Sequence, residues 1–179
     1  KKTSFIYAEP MRYVAKEKTA FAVGQISEVR AVRGFEGSPN ISRTNDVLII
    51  GMGFDDRMIR EVAEDKDNAR KIQLYGLPPL RADMYQQSVI RGRKAADAVA
   101  DPDFSERNRA SAPAGDPFAT AAVLESLVAR ASQIKPITNL YLSPVGTKAQ
   151  ALGFGLYFIG NCMGGNASIT FPFSEGYTS

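Results

Sequence analysis

Val47-Leu48-Ile49-Ile50-Gly51-Met52-Gly53-Phe54-Asp55-Asp56 is the stretch that decides the fold class. Its first four residues are continuously apolar rather than alternating with polar ones. They therefore read as a strand buried on both faces, as in parallel sheets covered by helices. Two glycines close the strand, and Arg57 to Glu64 then carries Met58, Ile59, Val62 and Ala63 at helical spacing. The unit is a strand, a tight glycine turn and a helix.

Toward the C-terminus the pattern repeats. Lys71 to Tyr75 reads as a second short strand closed by Gly76-Leu77-Pro78-Pro79, followed by a long helix from about Arg81 to Ala100. Asp101 to Gly115 (101-115), with Asp101-Pro102-Asp103, Ser111, Pro113 and Gly115, reads as a surface loop. Asp116-Pro117 starts a helix well, because aspartate caps exposed amides and proline at the first helical position loses no hydrogen bond. Phe118, Ala121, Leu124, Leu127, Val128 and Ala131 give that helix an apolar face. Thr138 to Leu142 is a third strand of this series, Ser143-Pro144-Val145-Gly146 turns into an apolar helix over Thr147 to Ile159, and Ile169-Thr170-Phe171 is a final strand.

Toward the N-terminus, Gly34 to Asp46 (34-46) holds turn residues without apolar periodicity and reads as the other surface loop. Gly24 to Val32 fits an edge strand or an irregular connection, with the strand preferred. Phe5 to Ala8 is a short strand ended by Glu9-Pro10. The alternation of strands and helices predicts an α/β fold: a three-layer Rossmann-like domain, with a mostly parallel sheet and helices on both faces. The expectation is one domain over 1-179, and the abrupt termini, without an initial methionine, read as a segment of a longer protein.

Composition excludes several classes of chemistry. With 44% hydrophobic and 23% charged residues, disorder, collagen-like repeats and a disulfide scaffold are poor readings. The chain has no histidine, so no Ser-His-Asp triad and no histidine-ligated zinc can be built from it. Its one cysteine, Cys162, reads as a buried inert thiol and cannot form an internal disulfide. A net charge of +3 is too weak to argue for nucleic acid. The first ten residues lack the apolar core and cleavage site of a signal peptide, and Ala149 to Ile159 is too short to span a bilayer, so no membrane association is expected and the chain reads as cytoplasmic.

In an open parallel sheet, ligands bind where the carboxyl ends of the strands and the helix N-termini converge. Gly51-Met52-Gly53, Gly76-Leu77-Pro78 and Ser143 to Lys148 should share that rim. The candidate ligand-binding residues are Gly51, Gly53, Asp55, Ser143, Gly146, Thr147 and Lys148. Gly146 admits close approach of backbone to a ligand, Thr147 can cap the helix or donate its hydroxyl, and Lys148 places a cation beside the first-turn amides. The plain alternative is a capped helix with a solvated lysine. The segment does not match a P-loop, and Gly51-Met52-Gly53 lacks the third glycine of a dinucleotide motif. Asp55 and Asp56 read as acids complementing a helix dipole rather than as metal ligands, and neither a metal nor a cofactor is expected. Gly153 and Gly155 read as packing glycines against the sheet. Tyr7, Glu9, Arg12 and Tyr13 either line the rim or form ordinary surface.

Asn139 to Leu142, running into Ser143-Pro144-Val145-Gly146-Thr147-Lys148-Ala149-Gln150-Ala151-Leu152-Gly153, resembles the Gly-Thr-Lys segment of CARF-type domains. These are the Rossmann-like nucleotide sensors of CRISPR-associated and related bacterial antiviral defence proteins. The resemblance implies a site for a nucleotide second messenger, formed across a homodimer, with Gly146, Thr147 and Lys148 on phosphate or ribose. It also implies an effector domain in the same or a partner chain. Pro144-Val145 stand where that family commonly has another glycine. The expected function is therefore a ligand-sensing or regulatory module for an anionic, nucleotide-like small molecule. The alternatives are an enzyme acting on a nucleotide or phosphorylated substrate through Asp55, Asp56 or Glu9 with Lys148, and an interaction domain with no small ligand.

Overall fold

The computed structural model describes residues 26–99 and 108–174. The expected strand at Phe5 to Ala8, and Tyr7, Glu9, Arg12 and Tyr13, lie outside them. In chain order the elements are β1 (Ile26–Ala31), β2 (Val47–Gly51), α1 (Asp56–Asp65), β3 (Arg70–Gly76), α2 (Met84–Lys94) and α3 (Ala96–Val99). They continue with β4 (Arg109–Ala112), α4 (Pro117–Ile134), β5 (Leu140–Ser143), α5 (Lys148–Asn161) and β6 (Ala167–Ser174).

One six-stranded sheet has the order β1-β6-β5-β2-β3-β4. β2 to β6 are mutually parallel, and β1 lies antiparallel on β6 at the edge. The chain winds from β2 to β3 and β4, then crosses back to place β5 on the other side of β2. That reversal is a topological switch point between the carboxyl ends of β2 and β5.

The strands are apolar on both faces because both faces are covered. Val47, Ile49, Ile72, Leu74 and Leu142 pack with Leu124, Leu127, Phe154 and Phe158 of α4 and α5. The alternate residues Leu48, Ile50, Tyr75 and Tyr141 pack with Ile59, Val62 and Ala63 of α1 and with Ala95 and Val99 near α3. The period-2 alternation of side chains thus builds two cores from one sheet. The architecture is the three-layer, mostly parallel, Rossmann-like arrangement that the sequence predicts.

The sequence reading needs three corrections. A strand, β4, lies inside the expected loop 101-115. Arg109-Ala110-Ser111-Ala112 has no branched or aromatic residue to signal it, and its pairing with Gln73 to Gly76 overrides propensity. The helix expected over Arg81 to Ala100 is two helices, divided at Ala95, whose amide donates to the carbonyls of Arg91 and Gly92. Gly153 packs on α4 rather than on the sheet: a Cβ there would lie 2.6 Å from the Pro117 carbonyl oxygen and from Thr120 Cβ.

The loop before β2 has no helix or strand from Gly34 to Asp46, yet it is pinned. The Asn40 amide donates to Asn139 Oδ1 at 2.7 Å, and Asn139 Nδ2 donates to the Asn40 carbonyl at 3.1 Å and to the Asp46 carboxylate at 2.9 Å. Asn139 is completely buried. The network satisfies the polar groups where β2 and β5 begin.

Candidate functional site

The rim at the carboxyl ends of the parallel strands brings together Gly51, Gly53, Asp55, Ser143, Gly146, Thr147 and Lys148. Its centre is closed by main chain. A Cβ on Gly53 would stand 2.0 Å from the Val145 carbonyl oxygen, and one on Gly51 would stand 3.5 Å from the Gly146 amide nitrogen and 3.3 Å from the Phe154 ring. Both glycines let the turn after β2 press against the turn after β5. Ser143 ends β5 and is completely buried, and among the described residues its hydroxyl has no hydrogen-bond partner. Leaving such a group unpaired costs about 1–3 kcal/mol.

Thr147 caps α5. Its hydroxyl accepts from the Gln150 amide at 3.2 Å and donates to the Ala114 carbonyl at 2.5 Å, while Gln150 Oε1 accepts from the Thr147 amide at 3.4 Å. This is a reciprocal capping box. Gln150 Nε2 also donates to the Ala112 carbonyl at 3.4 Å, so the start of α5 is tied to the end of β4 across the sheet. A Cβ on Gly146 would meet Gln150 Oε1 at 2.7 Å, so a side chain there would push the Gln150 amide out of the cap. Gln150 escaped the sequence reading, although Thr147-Lys148-Ala149-Gln150 has the spacing of a capping box. Beside these groups Met52, Gly76, Leu80, Met84 and Ala114 help to enclose a cavity of about 20 Å³. It has room for one water. Small-molecule sites span roughly 300–1,000 Å³, so any nucleotide at this rim lies over the turns, outside that cavity.

Among the described residues, four longer helices start on this rim, and they differ in charge. α1 has Asp55 at its cap, accepting from the Arg57 amide at 3.0 Å, and Asp56 in its first turn. α2 follows Asp83, and α4 follows Asp116, whose carboxylate takes the Phe118 and Ala119 amides. α5 follows a neutral threonine, has no acid in its first turn, and begins with the exposed Lys148. The amide ends of α1 and α4 are already answered by carboxylates. The α5 end keeps the positive potential of its dipole and adds a cation to it.

Asp55 and Asp56 are engaged elsewhere. Asp55 binds the Arg57 guanidinium at 3.0 Å, which raises Arg57 above its ordinary value through that hydrogen bond. Asp56 binds Arg91 of α2 at 3.0 Å. Among the described residues no three histidine, cysteine, aspartate or glutamate side chains come together to hold a metal, and no helix is long and apolar enough to cross a membrane. Cys162 sits buried at the end of α5, away from the rim, with its thiol pushed up by burial. No family model and no curated protein sequence matches the chain.

Proposed function

We propose that the chain is a ligand-sensing or regulatory module that binds an anionic, nucleotide-like molecule over the switch point, at the start of α5. The observation that carries this reading is the charge contrast among the rim helices: α5 opens on Thr147-Lys148 where α1, α2 and α4 open on aspartate. The switch point between β2 and β5 is where doubly wound sheets place such ligands. The likeness of Asn139 to Gly153 to CARF-type domains adds the finer proposal. In it the ligand is a nucleotide second messenger, the module pairs with a second copy, and an effector domain in the same or a partner chain responds. An enzymatic role would draw on Asp55 and Asp56, and both are held by arginines, which favours binding over turnover.

The test is a thermal-shift screen of the chain against mono-, di- and cyclic nucleotides. A ligand at a hundred times its dissociation constant stabilises by about 2.7 kcal/mol. The expected result is a shift for one nucleotide class that weakens tenfold or more in Lys148→Ala, the effect of losing a charge-assisted contact worth about 1.5–3 kcal/mol. A flat screen, or a shift unchanged in that variant, overturns the reading.

A further inference from the structure

At the opposite ends of the strands, on the α4 side of the sheet, Arg70, Ile72, Leu127, Arg130, Ala131 and Ile134 line a cavity of about 290 Å³. The topology creates it. β4 pairs only with Gln73 to Gly76, so Arg70 to Ile72 has β2 on one side and, among the described residues, no strand on the other. Helix α4 nevertheless runs past that corner as far as Ile134. The floor is apolar, built from the buried Ile72, Leu127 and Ala131, and Ile134 stands at its border 72% exposed.

Two arginines border this floor. Arg70 falls on the same face of β3 as Ile72 and Leu74, which pack beneath α4. Arg130 lies on α4 itself, between Leu127 and Ile134. Among the described residues no hydrogen bond or ion pair reaches either guanidinium. The positions three and four away from Arg130 are Ser126, Leu127, Gln133 and Ile134, so the helix supplies no acid within a turn. The carboxylate of Asp46, whose carbonyl takes the Arg70 amide, is turned to Asn139 and Tyr141.

We infer that this corner binds a small organic phosphate monoester, with the phosphate between Arg70 and Arg130 and the aliphatic group on Ile72, Leu127 and Ile134. A phosphate monoester above its second pKa of about 6 carries close to two negative charges, which matches two guanidinium groups. Planar guanidinium forks also suit bidentate contact with phosphate oxygens. A carboxylate would leave one cation unmatched, and inorganic phosphate would leave the apolar floor in water. The cavity is at the small end of ligand sites, which limits the organic group to a short chain or single ring.

The experiment is calorimetric titration of the whole chain at pH 8 with hexyl phosphate, with inorganic phosphate and hexanol in separate titrations. Saturable one-site binding of hexyl phosphate is expected, at least tenfold tighter than inorganic phosphate, with none detected for hexanol. Arg70→Gln and Arg130→Gln should each weaken it tenfold or more, Ile134→Ser should weaken hexyl phosphate but not inorganic phosphate, and Lys148→Ala should leave it unchanged. Arg130 is exposed and Arg70 half-buried, and unaltered thermal midpoints will confirm that their variants fold. No saturable binding, binding retained in both arginine variants, or binding lost in Lys148→Ala each overturns the assignment.

Discussion

The main chain of Gly53 lies so close to Val145 that a Cβ on it would stand 2.0 Å from the Val145 carbonyl oxygen. No side chain fits there, so Gly53→Ala must part the two turns that close the switch point. The expected loss is about 2–4 kcal/mol of stability, read as a lower urea midpoint. Gly160, in the last turn of α5, has nothing within 4 Å of its Cβ position. There the same substitution should stabilise by about 0.5 kcal/mol, since alanine is the better helix former. Equal effects at the two positions would contradict the packing described.

Thr147 uses its hydroxyl in both directions, toward the Gln150 amide and the Ala114 carbonyl. Thr147→Val keeps the shape and removes both bonds, so it should cost about 1–2 kcal/mol. Thr147→Ser should recover most of that. Chemical denaturation of the three proteins checks it, and a valine variant as stable as the parent would show that the cap contributes nothing.

Asn139, itself completely buried, joins the exposed Asn40 to the buried Asp46. Asn139→Leu leaves the buried Asp46 carboxylate short of a partner, at about 1–3 kcal/mol for a single unsatisfied group, while the exposed Asn40 groups turn to water. A loss of about 1–3 kcal/mol is expected. Amide exchange at Asn40 should quicken in the same variant, because the loop is no longer pinned to β5.

Tyr157 and Cys162 give the stability a dependence on alkaline pH. Burial first, and then the neighbouring Cys162, pushes the Tyr157 phenol above its ordinary value, and burial does the same to the thiol. Both acids therefore hold their protons in the folded chain at a pH where the unfolded chain has lost them. Stability falls as pH rises past the ordinary thiol value of about 8.5 and then the phenol value of about 10. Tyr157→Phe should flatten the upper part of that fall between pH 10 and 11. Lys71 acts in the opposite sense. Its ammonium is pushed below the ordinary value by burial, so stability rises as pH climbs from the folded value toward the ordinary one, and Lys71→Met should remove that rise. Urea midpoints measured from pH 7 to 11 separate the two, and a Tyr157→Phe profile parallel to the parent's would refute the assignment to that phenol.

The parallel core was legible because Val47 to Ile50 is apolar without alternation, and only a strand covered on both faces has that composition. The helix starts were legible at Asp116 and Thr147, where a capping side chain precedes an apolar pattern, whereas Asp55 read as a dipole-complementing acid and proves to be the cap of α1. β4 was not, because Arg109-Ala110-Ser111-Ala112 becomes a strand only through its neighbours β3 and α4. Small side chains fit beneath the helix but carry no strand signal. At the candidate site the residue types were readable, but the ties from Gln150 to Ala112 and from Asp56 to Arg91 were not, since each joins residues more than thirty positions apart.

Local patterning by itself determined that this chain makes a doubly covered sheet, and it placed Gly51, Gly53, Gly146, Thr147 and Lys148 on turns and a helix start, because periodicity, caps and glycine freedom act within a few residues. Tertiary structure alone decided the strand order, and with it the switch point where Gly53 meets Val145 and the corner that Arg70 and Arg130 both line. Those juxtapositions follow from which strand pairs with which, a choice made by long-range burial and hydrogen bonding that no short segment encodes.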